Sequence, residues 1–146
     1  MRGSNIRRGL EWRDFLRLRR PEQVAGIKIH QRAARLHLLH TEQSAGTVEG
    51  QEIASLTIHY ANGQREQLPI EHAVNVASEW YGPSTETKQG EVAWTGTTAL
   101  ASANQGTLRL YKHTWSNPHP EWEIAQVDLA SARTKASYVL VAMTVE

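Results

Sequence analysis

Histidine and the acidic residues are the first side chains in this sequence to test for chemistry. Three of the seven histidines, His30, His37 and His40, lie close together. Zinc sites recruit such imidazoles with fixed spacings, usually on a helix or beside cysteines. The chain has no cysteine and no His-Glu-x-x-His motif, and His37 and His40 would point to opposite faces of a strand. We therefore expect strand-surface histidines, with no metal and no cofactor.

Catalytic motifs are missing as well. The sequence has no Gly-x-Ser-x-Gly elbow, no P-loop and no dinucleotide fingerprint. Carboxylates occur in pairs, such as Glu121 with Glu123 and Glu71 with Glu79, but glycoside hydrolysis requires them to face each other across a cleft. Without cysteine, a thiol nucleophile and a disulfide are both excluded. The sequence therefore favours a protein that is not an enzyme.

Aromatic residues carry more information, because five Trp and four Tyr stand against a single Phe. Trp and Tyr are over-represented at binding surfaces, since each combines an apolar ring with a polar atom. A sugar ring can stack on an indole while neighbouring polar side chains bind its hydroxyls. The predicted ligand-binding residues are Trp80, Tyr81, Arg109, Trp115, Asn117, His119 and Trp122.

The alternative for each tryptophan is the core, because a domain of this size needs large buried side chains and has few others. Trp94 lies between Val92 and Thr95 within a short strand-like run. We predict that Trp94 belongs to the core. For the other tryptophan candidates, burial in the core and contact with a ligand both stay open.

The elements that must position these residues are clearest in the last forty residues. Residues 107–115 alternate apolar and polar side chains, as a half-buried strand does. Residues 138–146 are almost continuously β-branched or aliphatic, which predicts a strand covered on both faces or central in a sheet. A third, shorter apolar segment flanks Asp128. Two prolines exclude a helix at residues 116–120, so we predict an ordered loop in which Asn117 bonds to nearby backbone.

This region also carries a resemblance. The run Leu-Tyr-Lys-His-Thr-Trp-Ser-Asn-Pro-His-Pro-Glu, at residues 110–121, precedes Glu-Ile-Ala-Gln-Val-Asp and a hydrophobic close. It resembles the end of galactose-binding-like (jelly-roll) β-sandwich domains. Such domains accompany bacterial carbohydrate-active enzymes, and others of unassigned role occur in large planctomycete and verrucomicrobial proteins. The resemblance is most specific over residues 107–146 and extends more faintly back to Gly26. It implies the fold, and a carbohydrate ligand by analogy.

The remaining segments also predict strands. Residues 24–29 form a short strand with Gly26 as a bulge, and residues 35–40 form another. Residues 53–60 and 65–70 alternate on either side of Asn62-Gly63, which predicts a hairpin with a type I′ turn. Residues 71–81 fit one helix or one irregular strand. Residues 91–95 read as a strand, and residues 97–106 as a loop.

About eight strands and less than about 15% helix predict an all-β fold, an antiparallel β-sandwich or a barrel. Strand count alone cannot choose between these, and the resemblance favours a β-sandwich of jelly-roll, galactose-binding-like type. We divide the chain into residues 1–20, a basic N-terminal arm or first strand, and residues 21–146, the sandwich domain. The arm has seven arginines against two acidic residues, a net charge of +5, which leaves −4 for the rest. Such an arm suits a protein partner, and nucleic acid is not expected without a recognisable binding fold.

No apolar run is long enough to span a membrane, and the arginine-rich start has no apolar stretch typical of a signal peptide. The compartment stays open, and is extracellular or periplasmic if the chain is cut from a longer secreted protein. The oligomeric state is also open. The sequence thus predicts a non-catalytic module that binds a saccharide through exposed aromatics at a loop end, and the resemblance implies a bacterial one. The alternative is a structural or protein–protein interaction domain of a larger protein.

Overall fold

Eight strands, arranged in two antiparallel sheets, are present in the computed structural model, which describes residues 22–43, 47–78, 87–97 and 107–146. The predictions for residues 1–20, for Trp80 and Tyr81, and for residues 98–106 lie outside these ranges. The strands are β1 (Gln23–Arg32), β2 (Arg35–Gln43), β3 (Glu52–Tyr60), β4 (Arg65–Glu71), β5 (Gly90–Gly96), β6 (Leu108–Ser116), β7 (Glu123–Ser131) and β8 (Ser137–Val145).

The strand order is β1-β7-β3-β4 in the first sheet and β5-β6-β2-β8 in the second. Only the β3–β4 and β5–β6 connections stay within one sheet, and the other five cross from one sheet to the other. No helix occurs among the described residues. The predicted all-β sandwich is therefore confirmed, and its arrangement is compatible with a jelly roll.

Alternation of side chains along the strands builds the core between the sheets. In β3, Leu56, Ile58 and Tyr60 point inward and are buried, whereas Thr57 and His59 are only half-buried on the outer face. The second sheet contributes inward residues from β2 and β6 in the same way. The buried apolar core consists of Ala33, Leu36, Leu38, Ile53, Ala54, Leu56, Ile58, Tyr60, Leu68, Ile70, Val76, Ala77, Tyr111, Ile124, Val127 and Ala136.

The hairpin between β3 and β4 is confirmed, but its predicted turn type is wrong. The Gly63 N–H donates to the Tyr60 carbonyl at 3.0 Å, and Gly63 has a φ of 87° while Asn62 is not in the left-handed region. A type I′ turn would need both residues there. Instead the Asn62 Oδ1 accepts the Gln64 N–H at 2.9 Å. This Asx bond lets Asn62 keep an ordinary φ.

The bulge predicted at Gly26 is confirmed. The β1–β7 register shifts between Val24 and Ile27, and Gly26 has a φ of 76°. Its N–H donates to Asp128 Oδ1 at 2.7 Å, while His59 Nε2 lies 2.8 Å from Asp128 Oδ2. These bonds, the Gly26 N–H first, lower the pKa of Asp128 below its ordinary value. One carboxylate therefore ties β1 and β3 to β7.

The prediction for residues 138–146 is wrong in part, because β8 is an edge strand rather than a central one. Within the described ranges it pairs with β2 alone, and Val141 is 52% exposed. A continuous apolar run is typical of a strand that is covered on both faces, and the exposure of Val141 shows that β8 is not covered in this way. The β7 segment, in contrast, is longer than predicted, since it spans nine residues.

Two further predictions are corrected. Residues 71–78 form neither a helix nor a strand beyond Glu71, but a turn at residues 73–75 with isolated bridges. Trp94 is 50% exposed instead of buried. It lies opposite Leu110 in the register, next to the inward Tyr111, and so on the outer face of the second sheet. Its ring lies over Gly96, where an added Cβ would come within 2.0 Å of the Trp94 Cη2.

Candidate functional site

The loop from residue 117 to residue 122, between β6 and β7, is built around a buried Asn117. The Asn117 Nδ2 donates to the Ala33 carbonyl at 2.8 Å and to the His119 carbonyl at 3.1 Å. Its Oδ1 accepts the Tyr60 hydroxyl at 2.6 Å and the His119 N–H at 2.9 Å. The predicted bonding of Asn117 to nearby backbone is confirmed. Because an amide has two donors and two acceptor positions, its capacity is fully used inside the protein.

The aromatic residues of this loop form a stack. The His119 and Trp122 rings lie 3.8 Å apart at 12°, and both stand nearly perpendicular to the Tyr60 ring, at 5.9 and 5.2 Å. Burial raises the pKa of Tyr60 to about 12, so its hydroxyl stays protonated and continues to donate to Asn117. Both stacked rings are half-buried, and Trp122 also packs against the hydrophobic core. We call His119, Trp122 and Tyr60 the aromatic stack.

Two carboxylates flank the aromatic stack. Glu66 Oε1 lies 3.7 Å from His119 Nε2, and Glu121 Oε1 lies 3.6 Å from His119 Nδ1. The Glu66 side chain is 38% exposed and the Glu121 side chain 61% exposed. Carboxylate oxygens accept hydrogen bonds from hydroxyl groups. The surface therefore combines an aromatic platform with acceptors on its rim.

Of the other predicted site residues, Trp115 and Arg109 fall within the described ranges. Trp115 is partly buried and packs against the core, in register with the buried Leu36. Arg109 is six positions away from Trp115 along β6, a distance of roughly 20 Å in a strand. Its carbonyl accepts the Thr41 hydroxyl at 3.0 Å. The structure thus brings Asn117, His119 and Trp122 together, and it does not bring Arg109 to them.

The expectation that the histidines lie on a strand surface is wrong for His40, which is fully buried. Its Nε2 donates to the Asn75 carbonyl at 3.0 Å, and its Nδ1 accepts the Tyr138 hydroxyl at 2.7 Å. The His113 ring is stacked 6.5 Å away. Burial, more than the neighbouring His113, lowers the pKa of His40 to about 4 and also lowers that of His113. Both imidazoles are therefore neutral at pH 7.

Sequence reasoning missed this buried polar cluster of His40, His113, Asn75 and Tyr138. A signal was present for His40, because it lies on the same strand face as Leu36 and Leu38. The His72 Nδ1 forms a hydrogen bond with Glu42 Oε1 nearby, and the Glu42 side chain is fully buried. Nowhere in the described ranges do three or more metal-binding side chains converge. The cluster is a hydrogen-bonded interior, which supports the fold around it.

Comparison of the chain with protein-family models, with curated proteins and with solved structures gives no match. The residues and their geometry therefore carry the functional argument. Among the described residues, no helix has the length and apolar character needed to cross a bilayer.

Proposed function

We propose that this protein is a non-catalytic ligand-binding module of galactose-binding-like type, and that it binds carbohydrate at the aromatic stack. The observation that carries the proposal is the partly exposed His119–Trp122 pair, stacked at 3.8 Å and flanked by two carboxylates. His119 covers one face of the indole. A sugar ring stacks on the opposite face, while Glu66 and Glu121 accept hydrogen bonds from its hydroxyls.

Rigidity of the platform supports this proposal. Asn117 fixes the loop through four hydrogen bonds, and Tyr60 holds the edges of both stacked rings. A platform that is already ordered loses little conformational entropy when a ligand binds. Each hydroxyl that bonds to the protein gives up a bond to water and nets only about 1 kcal/mol. We therefore expect millimolar to micromolar affinity for a short saccharide.

The test is a titration with mono- and oligosaccharides at millimolar concentration, read by Trp fluorescence. It is best performed in a Trp94→Phe background, because Trp94 is half-exposed and would respond to solvent on a different face. Trp122→Phe should weaken binding at least fivefold, and Glu121→Gln severalfold. Glu91→Gln, an exposed carboxylate on β5, is the matched control. A set of saccharides that perturbs no emission, or equal effects of E121Q and E91Q, would contradict the proposal.

A protein–protein interaction domain is the second candidate. The outer face of the second sheet favours it, because Trp94 and Val141 are exposed there by 50% and 52%. Exposed aromatic side chains are common at the centre of protein interfaces. If no saccharide binds, loss of partner capture on Trp94→Ser, with no change on Trp122→Phe, would favour this second function.

A further inference from the structure

A cavity of about 290 Å³ opens between the two sheets at the end of the sandwich opposite to the 117–122 loop. Val24 and Leu129 of the first sheet line one side, and Ala136 and Tyr138 line the other. The Tyr138 hydroxyl is already bonded to His40, so Tyr138 offers the cavity only its apolar ring. The volume lies at the small end of the range for ligand pockets. The walls therefore suit the apolar part of a small molecule.

The rim of this cavity, between β7 and β8, is polar and rich in donors. Ser131 Oγ accepts the Arg133 N–H at 3.1 Å, and Thr134 Oγ1 accepts the Ala136 N–H at 3.2 Å. Each hydroxyl thereby uses an acceptor position and keeps its own O–H hydrogen to donate. Ser131 and Thr134 both line the cavity. The rim therefore offers two hydroxyl donors to an acceptor group.

Arg133 adds a positive charge to the same rim. In the described part of the chain its guanidinium bonds only through Nη2, to Glu22, and both side chains are largely exposed. An exposed ion pair of this kind contributes little to stability, and its guanidinium can readily exchange one partner for another. The remaining guanidinium donors match the fork geometry of a carboxylate. Among the described residues that line the cavity, Glu22 is the one that would repel an anion.

The backbone conformation of Arg133 supports a role of this residue in ligand binding. Its φ is 59°, in the left-handed region that side-chain-bearing residues rarely adopt. The bond from its N–H to Ser131 holds this conformation and keeps the arginine on the rim. Strained residues of this kind are concentrated at binding sites, where the surrounding structure stabilises them.

We propose that this cavity binds a small amphipathic carboxylate, a class of ligand distinct from the saccharide of the opposite end. Its short apolar chain lies against Val24, Leu129 and the Tyr138 ring. Its carboxylate accepts hydrogen bonds from Arg133, Ser131 and Thr134.

The test is a titration of the whole chain with hexanoate, followed by isothermal calorimetry and by the NMR signals of Ala54, Ala130 and Ala136, which line the cavity. Hexanamide, which has the same chain without the charge, and acetate, which has the charge without the chain, are the matched probes. We expect saturable hexanoate binding, with both probes weaker by about tenfold or more, as charge-assisted bonds and apolar burial predict. Equal binding of hexanoate and hexanamide, or no saturation by hexanoate, would overturn the proposal.

Variants of the rim residues test whether hexanoate binds at the rim. Arg133→Asn removes the guanidinium and keeps a residue that tolerates positive φ, so the fold is retained and hexanoate affinity should fall about tenfold. Glu22→Gln should raise that affinity severalfold, because it removes the repelling charge. Arg65→Gln, at an exposed arginine of β4 near the opposite end, should change nothing. Equal effects of R133N and R65Q, or weaker binding by E22Q, would refute the site. Saccharide binding at the aromatic stack should be the same in all three variants.

Discussion

At the loop end of the sandwich, the buried Asn117 uses all of its hydrogen-bonding capacity inside the protein, whereas at the cavity end two hydroxyls keep a donor to offer. All four hydrogen-bonding positions of Asn117 have protein partners. The hydroxyls of Ser131 and Thr134 each accept one backbone N–H and retain their O–H. The number of polar residues in a segment is therefore a poor guide to binding. The number of donors and acceptors that are left without an internal partner is a better guide.

Removal of the Asn117 side chain should have the largest effect on stability. Asn117→Ala leaves the Ala33 carbonyl, the Tyr60 hydroxyl and the His119 N–H without their partner. Since an unsatisfied buried group costs about 1–3 kcal/mol, we expect a loss of at least about 3 kcal/mol in the free energy of unfolding, measured with urea. Asn62→Ala is the control, because this exposed amide makes a single bond to Gln64. Similar losses in both variants would mean that the loop end is not held by Asn117.

The buried polar cluster behind the cavity should make the protein sensitive to acid. The pKa of His40 falls from 6.5 to about 4 on folding, so the unfolded chain binds a proton that the folded chain excludes. Stability is then fully present above pH 6.5 and is lost as the pH falls towards 4, by about 3 kcal/mol at most. His113, with a pKa lowered by burial, adds in the same direction.

Urea unfolding at several pH values between 7.5 and 4.5 measures this loss. His40→Gln should flatten the slope against pH even if it lowers stability at every pH. His30→Gln, at an exposed histidine, should leave the slope unchanged. An unchanged slope in H40Q would show that the imidazole is not the group that excludes the proton.

The smallest expected effects on stability concern two glycines of β5, Gly90 and Gly96. A Cβ at Gly90 would lie 2.4 Å from the Asn75 carbonyl oxygen, which is the backbone acceptor of His40, whereas a Cβ at Gly96 would meet the far end of the Trp94 ring at 2.0 Å. Backbone cannot move away, but an exposed indole can. Gly90→Ala should therefore cost about 2 kcal/mol, and Gly96→Ala less than about 1 kcal/mol, with a shift in Trp94 emission. Equal costs would indicate that the backbone at residue 75 adapts.

Local pattern was enough to predict most of the strands and the role of Asn117. Alternation along residues 53–60 depends only on which face is buried, and an Asn-Pro turn depends only on neighbouring backbone, so both can be read without knowledge of the fold. The same reasoning was wrong for Trp94 and for residues 138–146. Their apolar neighbours fit a covered strand, but coverage depends on what lies over each face of the sheet. Trp94 lies on the outer face of the second sheet, and the strand order places β8 at an edge of that sheet.

The sequence by itself determined the all-β class, the hairpin at Gly63, the bulge at Gly26 and the ordered loop at residues 116–120, because these depend on local backbone preferences and side-chain period. Only the tertiary structure decided that His40 is buried beside His113, since these residues are 73 positions apart in the chain and meet through strand pairing. It also decided where the cavity opens. The cavity walls come from β1, β3, β7, β8 and the β7–β8 connection, and no local sequence pattern shows how distant strands diverge at the end of a sandwich.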